Sequence, residues 1–452
     1  MTFKRHISAN LEEWKHDKRR KPLILRGARQ VGKTTLVMQF AKSYTHQIAL
    51  NLEKESEKRL FEDIDDIKTL VDRLLLARSI PSGELSDTLL FIDEIQESPK
   101  AIQQLRYLYE DIPDLHVIAA GSLLEFALRK VKSFPVGRVE YLYLFPLNFM
   151  EYLSAINHKG ALEQLENIPV NDYAHSILLD LFNRYAIIGG MPEVIQTYIQ
   201  KQSIADLPKV YESIWGTYQN DVEKYTSSEV GRKVIKHIMS TAPLYVDQRI
   251  KFQNFGNSNY KSREVSEAMR NLDEAKIIQL IYPSTDIEPP IRADLKKSPR
   301  LQFLDTGIIN YTLGIQAQML GVSDLSTSFK GAIIPHIITQ EVLSLNTISS
   351  HKPHFWVREK TQSSAEVDLV VNYQGKVIPI EIKSGSTGSL KSLHQFIDMS
   401  PHPYAIRIYA GKFNIENHTT PTGKPYLLMN LPYYLGTKIT EYIEYFVKNF
   451  TL

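Results

Sequence analysis

Pro22-Leu23-Ile24-Leu25-Arg26-Gly27-Ala28-Arg29-Gln30-Val31-Gly32-Lys33-Thr34-Thr35 is the stretch on which the fold turns. Pro22 to Leu25 reads as a short buried strand, and Thr35 to Lys42 as a helix. Between them, Gly27 to Thr34 fits G-x-x-x-x-G-K-[ST] without departure. Gly27 and Gly32 free the backbone so that its N–H groups turn inward on phosphate oxygens. The helix N-terminus adds partial positive charge. The cradle is thus Gly27, Ala28, Arg29, Gln30, Val31, Gly32, Lys33, Thr34 and Thr35. Lys33 should reach the β- and γ-phosphates, and the Thr34 hydroxyl should hold Mg2+. The expected cofactors are therefore ATP and Mg2+. A chance glycine-rich turn is the alternative, and the strand–loop–helix context weighs against it.

Outward from this loop, apolar strands are expected at Gln47 to Leu52, Leu89 to Ile92 and Val117 to Ala120. Strands alternating with helices imply a doubly wound parallel α/β sheet. Asp93 sits at the tip of the Leu89 strand, where such sheets bind ligands, and should complete the Mg2+ shell. Glu94 is placed to polarise the attacking water. Solvation of a strand end is the competing explanation for both carboxylates.

The chain has 452 residues, too many for a single core. Its 53 basic and 51 acidic side chains leave a net charge of +2, too even to argue for nucleic acid on bulk charge. Cysteine is absent, which excludes disulfides, thiolate metal sites and cysteine nucleophiles. No apolar run approaches the roughly 20 residues of a membrane helix. Met1 to Arg20 is polar, unlike a signal peptide. A cytoplasmic protein without a membrane partner is expected. Lys18-Arg19-Arg20-Lys21 reads as a solvated helix end.

Further along, Phe149 to Tyr225 is helical in pattern. Ser262 to Ala275 carries Val265, Ala268, Met269 and Leu272 at helix spacing, followed by a strand over Ile277 to Tyr282. Helix, short turn and strand resemble a winged helix. A small basic surplus over residues 251–300 gives weak support for DNA contact, and packing on the nucleotide domain is the alternative. A third region has helices at Ile333 to Leu345 and from Leu390. Its strands are expected at Phe355 to Arg358, Val367 to Tyr373, Val377 to Ile382 and Ala405 to Tyr409.

In that region, Glu366-Val367-Asp368 and Glu381-Ile382-Lys383 lie on apolar runs joined near Gln374-Gly375. A two-residue turn there would set Asp368 opposite Glu381 and Glu366 opposite Lys383. A four-residue loop would break that pairing. Opposed carboxylates repel, so a second divalent cation at Asp368 and Glu381 would be economical. Lys383 could then hold the water or stabilise a pentavalent phosphate. A solvated hairpin face is the plain alternative. The histidines supply no H-E-x-x-H, and His351 and His354 flank Pro353 and read as surface. Trp14, Trp215 and Trp356 read as packing residues.

The blocks Gly27–Leu36 (GARQVGKTTL), Leu89–Gln96 (LLFIDEIQ), Ala119–Leu128 (AAGSLLEFAL), Gly137–Tyr152 and Ile188–Ile195 (IGGMPEVI) resemble the AAA-like ATPases that carry a DUF4143 domain. The likeness spans nearly the whole chain and implies an ATPase related to the AAA+ and STAND classes. It implies that Ser122 is the sensor-1 polar residue, although many AAA+ proteins have Asn there. It makes Arg138, after Gly137, a candidate arginine finger, with a surface turn arginine as the alternative. Gly190-Met191-Pro192 resembles the G-x-P element that touches adenine in STAND-type lids, and a helix stop followed by proline also explains it. Asp368, Glu381 and Lys383 resemble the D…ExK set of a PD-(D/E)xK nuclease core, with Glu341 as an additional helical acid and Glu366 beside it.

The expected architecture is a P-loop AAA-like core over residues 1–150, a helical lid over 151–225 and a winged helix over 226–325. A restriction-endonuclease-like α/β domain would follow over 326–452. Two functions fit it. ATP hydrolysis could drive a DNA-directed, nuclease-like module. Alternatively, ATP occupancy could switch partner binding while the nuclease fold is inert. DNA, protein partners and an oligomer all stay open.

Overall fold

A computed structural model describes residues 2–128, 135, 137–226, 228–319, 325, 331–348, 351–360, 363–384 and 390–452. The chain divides into two compact units. The first is Met1–Phe145 with the segments Glu274–Lys276 and Asn346–Ser350. The second is Pro146–Asp273, Ile277–Leu345 and His351–Leu452.

The first unit is built on five strands: β1 (Leu23–Arg26), β2 (His46–Asn51), β3 (Thr88–Asp93), β4 (His116–Gly121) and β5 (Glu140–Tyr143). They pair in the order β2-β3-β4-β1-β5, every neighbour parallel. Parallel strands need crossovers, and helices supply them on both faces. All residues of β3 and β4 are buried, which is why both read as continuous apolar runs. Ile24, Ile48, Leu90, Ile92, Val117 and Ala119 share one core with Leu70, Ile102 and Leu105 of the covering helices. Burying each large apolar side chain contributes about 1.5–3 kcal/mol. The α/β sheet expected from the sequence is thus present. The helix after β1 runs Lys33–Ala41, two residues earlier than the periodicity suggests, and Ser8–His16 precedes both. Gly32 caps it in a left-handed conformation that apolar spacing does not register.

The second unit begins with helices, as expected. Phe149–Ala155 opens on a capping box between Asn148 and Glu151. His175–Ile188, Pro192–Lys201, Pro208–Asn220 and Glu229–Thr241 follow. Ser262–Glu274 buries Val265, Ala268, Met269 and Leu272 and exposes Arg263, Glu267 and Arg270. Two short strands, β6 (Ile278–Ile281) and β7 (Arg300–Phe303), then pair antiparallel. Helix Ile333–Ser344 leads to a mixed sheet of β8 (His354–Lys360), β9 (Ser363–Tyr373), β10 (Lys376–Ile382), β11 (Tyr404–Tyr409), β12 (Asn414–Thr419) and β13 (Pro425–Pro432). Its order is β12-β13-β11-β10-β9-β8. Helix Lys391–Met399 buries Leu393, Phe396 and Ile397 in a core with Val367, Val377 and Ala405.

The turn between β9 and β10 settles one open choice. Tyr373 pairs with Lys376 and Leu369 with Ile380, so the connection has two residues. Gln374 and Gly375 both take positive φ, 47° and 78°, the signature of a turn whose twist matches the strands. Trp14, Trp215 and Trp356 are buried. Among the described residues no helix is long and apolar enough to cross a membrane.

Candidate functional site

The chain leaves β1 through Gly27, where a Cβ would lie 2.4 Å from the Leu144 carbonyl oxygen. Only glycine passes there. Gln30 and Gly32 turn the loop with φ of 63° and 97°. Helix Lys33–Ala41 then starts, and its first N–H groups have no acceptor within the helix itself. Lys33 is buried, and its Nζ donates to Gly27 O at 3.0 Å and Ala28 O at 2.8 Å. Burial lowers its pKa to about 8, against Glu94 and Asp93, which raise it. A buried ammonium seated on loop carbonyls at a helix N-terminus fits a polyanion.

The strand order sets β3, β4 and β1 side by side, so Asp93, Ser122 and Gly27 leave adjacent strand ends. Neighbouring ends are about 4.8 Å apart. The Thr34 hydroxyl donates to Asp93 Oδ2 at 2.7 Å. Burial raises the Asp93 carboxyl above its usual range, opposed by that hydrogen bond. Arg29 Nε donates to Ser122 Oγ at 3.3 Å, tying loop to strand end. Glu94 sits in a left-handed conformation at φ 51°, sparsely populated for a residue with a Cβ. The Gln96 side-chain amide donates to its carboxylate. A Cβ at Gly121 would come 2.4 Å from Gln96 Oε1, so that glycine makes room for the amide. Thr35 is exposed on the helix's first turn.

Two supports escaped the motif. Arg5 is buried and donates from Nη1 to Val31 O at 3.1 Å and from Nη2 to Phe145 O at 2.5 Å. Gln96 holds Glu94. Neither lies inside the P-loop pattern, and only their contacts reveal them.

Arg138, the candidate finger, donates from Nε to Glu110 Oε1 at 2.8 Å. Glu110 also receives Arg106 at 3.1 Å. Pro192 occupies the first turn of helix Pro192–Lys201 in the second unit. At Gly190 a Cβ would lie 2.1 Å from Leu147 O, and the Gly190 N–H donates to buried Asp305 at 2.5 Å. Close packing and a helix start thus explain this glycine and proline locally. Burial raises Asp305 to about 6, opposed by the N–H groups of Gly190, Ile308 and Gly307.

The C-terminal carboxylates separate into two places. Glu341 does not join the others, which corrects the expectation of an additional helical acid. It is fully buried, accepts from Phe149 N at 3.0 Å and lies 2.7 Å from the Tyr185 hydroxyl. Its helix is buried along almost its whole length, Val342 alone being half-buried. Burial raises it to about 8. Asp368, Glu366 and Glu381 do come together, but with a partner the sequence did not suggest. Arg300 of β7 is buried among them, with Nη1 3.3 Å from Asp368 Oδ1 and Nη2 paired to Glu366. Asp247 joins at 3.6 Å from Arg300. Glu381 Oε1 pairs with Lys383 Nζ at 2.5 Å. Burial and the Asp368 charge raise Glu381. Burial lifts Asp247 to about 7, against the pull of Arg300.

Residues 19–153 match the sequence model described as an AAA domain. Residues 179–319 match a domain of unknown function, DUF8612, and residues 330–427 another, DUF4143. No curated protein sequence matches the chain. Among solved structures it is similar to a Walker-type ATPase of Pyrococcus abyssi, at 16% identity and a TM-score of 0.44, covering 69% of this chain and 96% of that one. It is also similar to a signal-transduction ATPase with numerous domains and a tetratricopeptide repeat sensor from Pyrococcus horikoshii. There the identity is 12% and the TM-score 0.28, covering 74% of this chain and 47% of that one.

Proposed function

We propose that the chain, whose residues 19–153 match an AAA domain and 330–427 a DUF4143 domain, is an AAA-like ATPase that binds and hydrolyses Mg–ATP at the Gly27–Thr34 loop. The observation that carries this reading is the Thr34 hydroxyl on Asp93 at 2.7 Å, beside buried Lys33. Gly27, Ala28, Arg29, Gln30, Val31 and Gly32 present backbone to the phosphates, and Lys33 supplies their counter-charge. Thr34 and Asp93 would hold Mg2+, which neutralises the charge that develops on the phosphates. Glu94, oriented by Gln96, positions the attacking water and takes its proton. Ser122 reads the γ-phosphate from the next strand end. Arg138, steered by Glu110, is the finger, acting on a second copy if the chain assembles. This reading places the protein in the cytoplasm, where ATP and Mg2+ are supplied.

ATP turnover would drive a conformational change in the second unit. One output is DNA-directed, with the Ser262–Glu274 helix and β6–β7 as a winged helix and a second divalent cation at Asp368 and Glu381. The other is a switch that gates a protein partner, with a nuclease-like fold that does not cut. Arg300 in the acid cluster favours the second. So does the mixed charge of Arg263, Glu267 and Arg270 on the exposed helix face.

Lys33→Ala should abolish ATP retention in a calorimeter. Glu94→Gln should keep binding and stall turnover. Hydrolysis by Glu94→Gln at the wild-type rate would remove Glu94 from the base role. Mg2+- or Mn2+-dependent cleavage of DNA by the wild type, lost in Asp368→Ala, would restore the DNA-directed output.

A further inference from the structure

The acid cluster of the second unit carries its own cation. Arg300 is 4% exposed, and its guanidinium also lies over the Phe355 ring, 4.6 Å from the centroid. Its two terminal nitrogens serve three carboxylates. Nη1 lies 3.3 Å from Asp368 Oδ1 and 3.6 Å from Asp247 Oδ1, and Nη2 pairs with Glu366. The second oxygen of Asp368 accepts the Ile382 N–H at 2.8 Å. Glu381 gives Oε1 to Lys383 at 2.5 Å, while its Oε2 is buried without a hydrogen-bond partner among the described residues.

A hard divalent cation needs several oxygens converging on one point. Here these oxygens, Glu381 Oε2 apart, are taken up by the guanidiniums of Arg300 and Arg249, the Gln302 amide on Asp247, the Ile382 N–H and Lys383. Among the described residues no group of three or more acids and histidines converges in a way that could hold a metal. The arginine is suited to the place it fills. It is planar, stays charged under all conditions, and forks towards two carboxylates at once. Burial works against its charge, yet Asp247, Asp368 and Glu366 outweigh that and hold it charged. A metal ion bound to Asp368 Oδ1 would have to meet this second, buried positive charge. The D…ExK residues therefore do not fit a divalent cation while Arg300 is in place.

We infer that Arg300 is the resident cation of the Asp247–Glu366–Asp368 cluster and keeps it closed to divalent metal. Withdrawing the guanidinium leaves the half-buried Asp247 and Asp368 without their counter-charge, while Arg249 still reaches Glu366 at 3.7 Å, and that deficit is met by protonation or by a new cation. Asp368 and the free oxygen of Glu381 are the oxygens best placed to receive one. Lys383 is held by Glu381, and Arg249 divides its guanidinium between Glu359 at 2.7 Å and Glu366 at 3.7 Å, so neither takes the place of Arg300 at Asp247 and Asp368.

The test is Mn2+ binding to the full chain without nucleotide, followed by electron paramagnetic resonance. Wild type, Asp368→Asn, Arg300→Gln and the double variant Arg300→Gln/Asp368→Asn are compared. Wild type and Asp368→Asn should bind the same amount of Mn2+. Arg300→Gln should gain one Mn2+ per chain, and the double variant should lose it again. A wild-type site that vanishes in Asp368→Asn overturns the inference, and so does Arg300→Gln without a gain. Where Arg300→Gln does not fold, the wild-type against Asp368→Asn comparison still decides. The measurement omits ATP, so its failure is distinct from failure of the ATPase reading.

Discussion

The Thr34 hydroxyl donates to Asp93 across 2.7 Å, joining the end of the phosphate loop to the tip of β3. Two oxygens that Mg2+ would use are already neighbours before any nucleotide arrives. Such preorganisation lowers the cost of assembling the site. Thr34→Ala and Asp93→Asn should therefore retain ATP when magnesium is chelated, yet gain nothing when it is added. In wild type, added Mg2+ should tighten ATP by about tenfold or more, about 1.4 kcal/mol. Calorimetric titrations with and without Mg2+ measure this directly. A variant that keeps the full magnesium effect would exclude its side chain from the shell.

Lys33 should report nucleotide binding through protons. Burial lowers its pKa to about 8 in the free protein. Phosphates raise it, because an opposite charge favours the ammonium. ATP binding near pH 8 and above should therefore take up a proton, and affinity should fall as pH rises past about 8. Heats measured in buffers of different ionisation enthalpy reveal the uptake. Binding without uptake at pH 8.5 to 9, roughly one unit above the folded value, would mean that Lys33 does not meet the phosphates.

Arg138 tests the assignment of the finger. Its ion pair with Glu110 is exposed, so losing it should move the melting temperature little. Arg138→Ala should instead lower turnover much more than ATP affinity, because a finger acts on charge that develops in the transition state. If it acts on a second copy, specific activity should rise with protein concentration in wild type and not in the variant. Equal losses in binding and turnover would make Arg138 a packing residue.

Glu341 should act on stability rather than on chemistry. Burial raises it to about 8, from an ordinary value of 4.5. A neutral Glu341 satisfies its surroundings in one direction. The single Tyr185 hydroxyl hydrogen faces two acceptors, Glu341 Oε1 at 2.7 Å and Leu147 O at 2.8 Å, and a proton on Glu341 resolves the conflict by letting the carboxyl donate to the Tyr185 oxygen while Tyr185 donates to Leu147 O. The Phe149 N–H reaches the remaining carboxyl oxygen. The folded chain thus keeps a proton that the unfolded chain releases above about pH 4.5. Stability from this group is intact below that value and declines as pH rises towards about 8. Glu341→Gln can make the same hydrogen bonds without a proton to lose. Its melting temperature should fall less than that of wild type between about pH 5 and pH 8. Parallel curves for the two proteins would show that Glu341 is already ionised in the fold. Tyr185→Phe should cost about 1–3 kcal/mol by orphaning the Glu341 proton.

Much of the candidate site was legible because its signals are local. A phosphate loop is written in consecutive residues, since glycine placement, lysine reach and the helix start are all properties of one short backbone segment. Asp93 was legible because a fully buried parallel strand reads as an apolar run and ligands gather at its tip. The β9–β10 register followed from the two-residue turn, since strand pairing is then fixed by counting. Strand β12 was missed because its burial is intermediate or exposed throughout, which leaves no apolar pattern to find. Glu341 misled for a different reason. A carboxylate three or four positions from apolar neighbours looks like a functional acid until the packing shows it fully buried against Phe149 and Tyr185.

By itself, then, the sequence determined the nucleotide loop, the strand-tip acids and the hairpin that carries Asp368 and Glu381, because each depends on neighbours along the chain. The tertiary structure alone decided what those hairpin acids face. Arg300 stands 68 positions before Asp368, on a different strand pair, and Asp247 comes from a third segment. Whether a carboxylate meets a metal, water or a guanidinium depends on which distant segments pack against it, and no spacing rule carries that information.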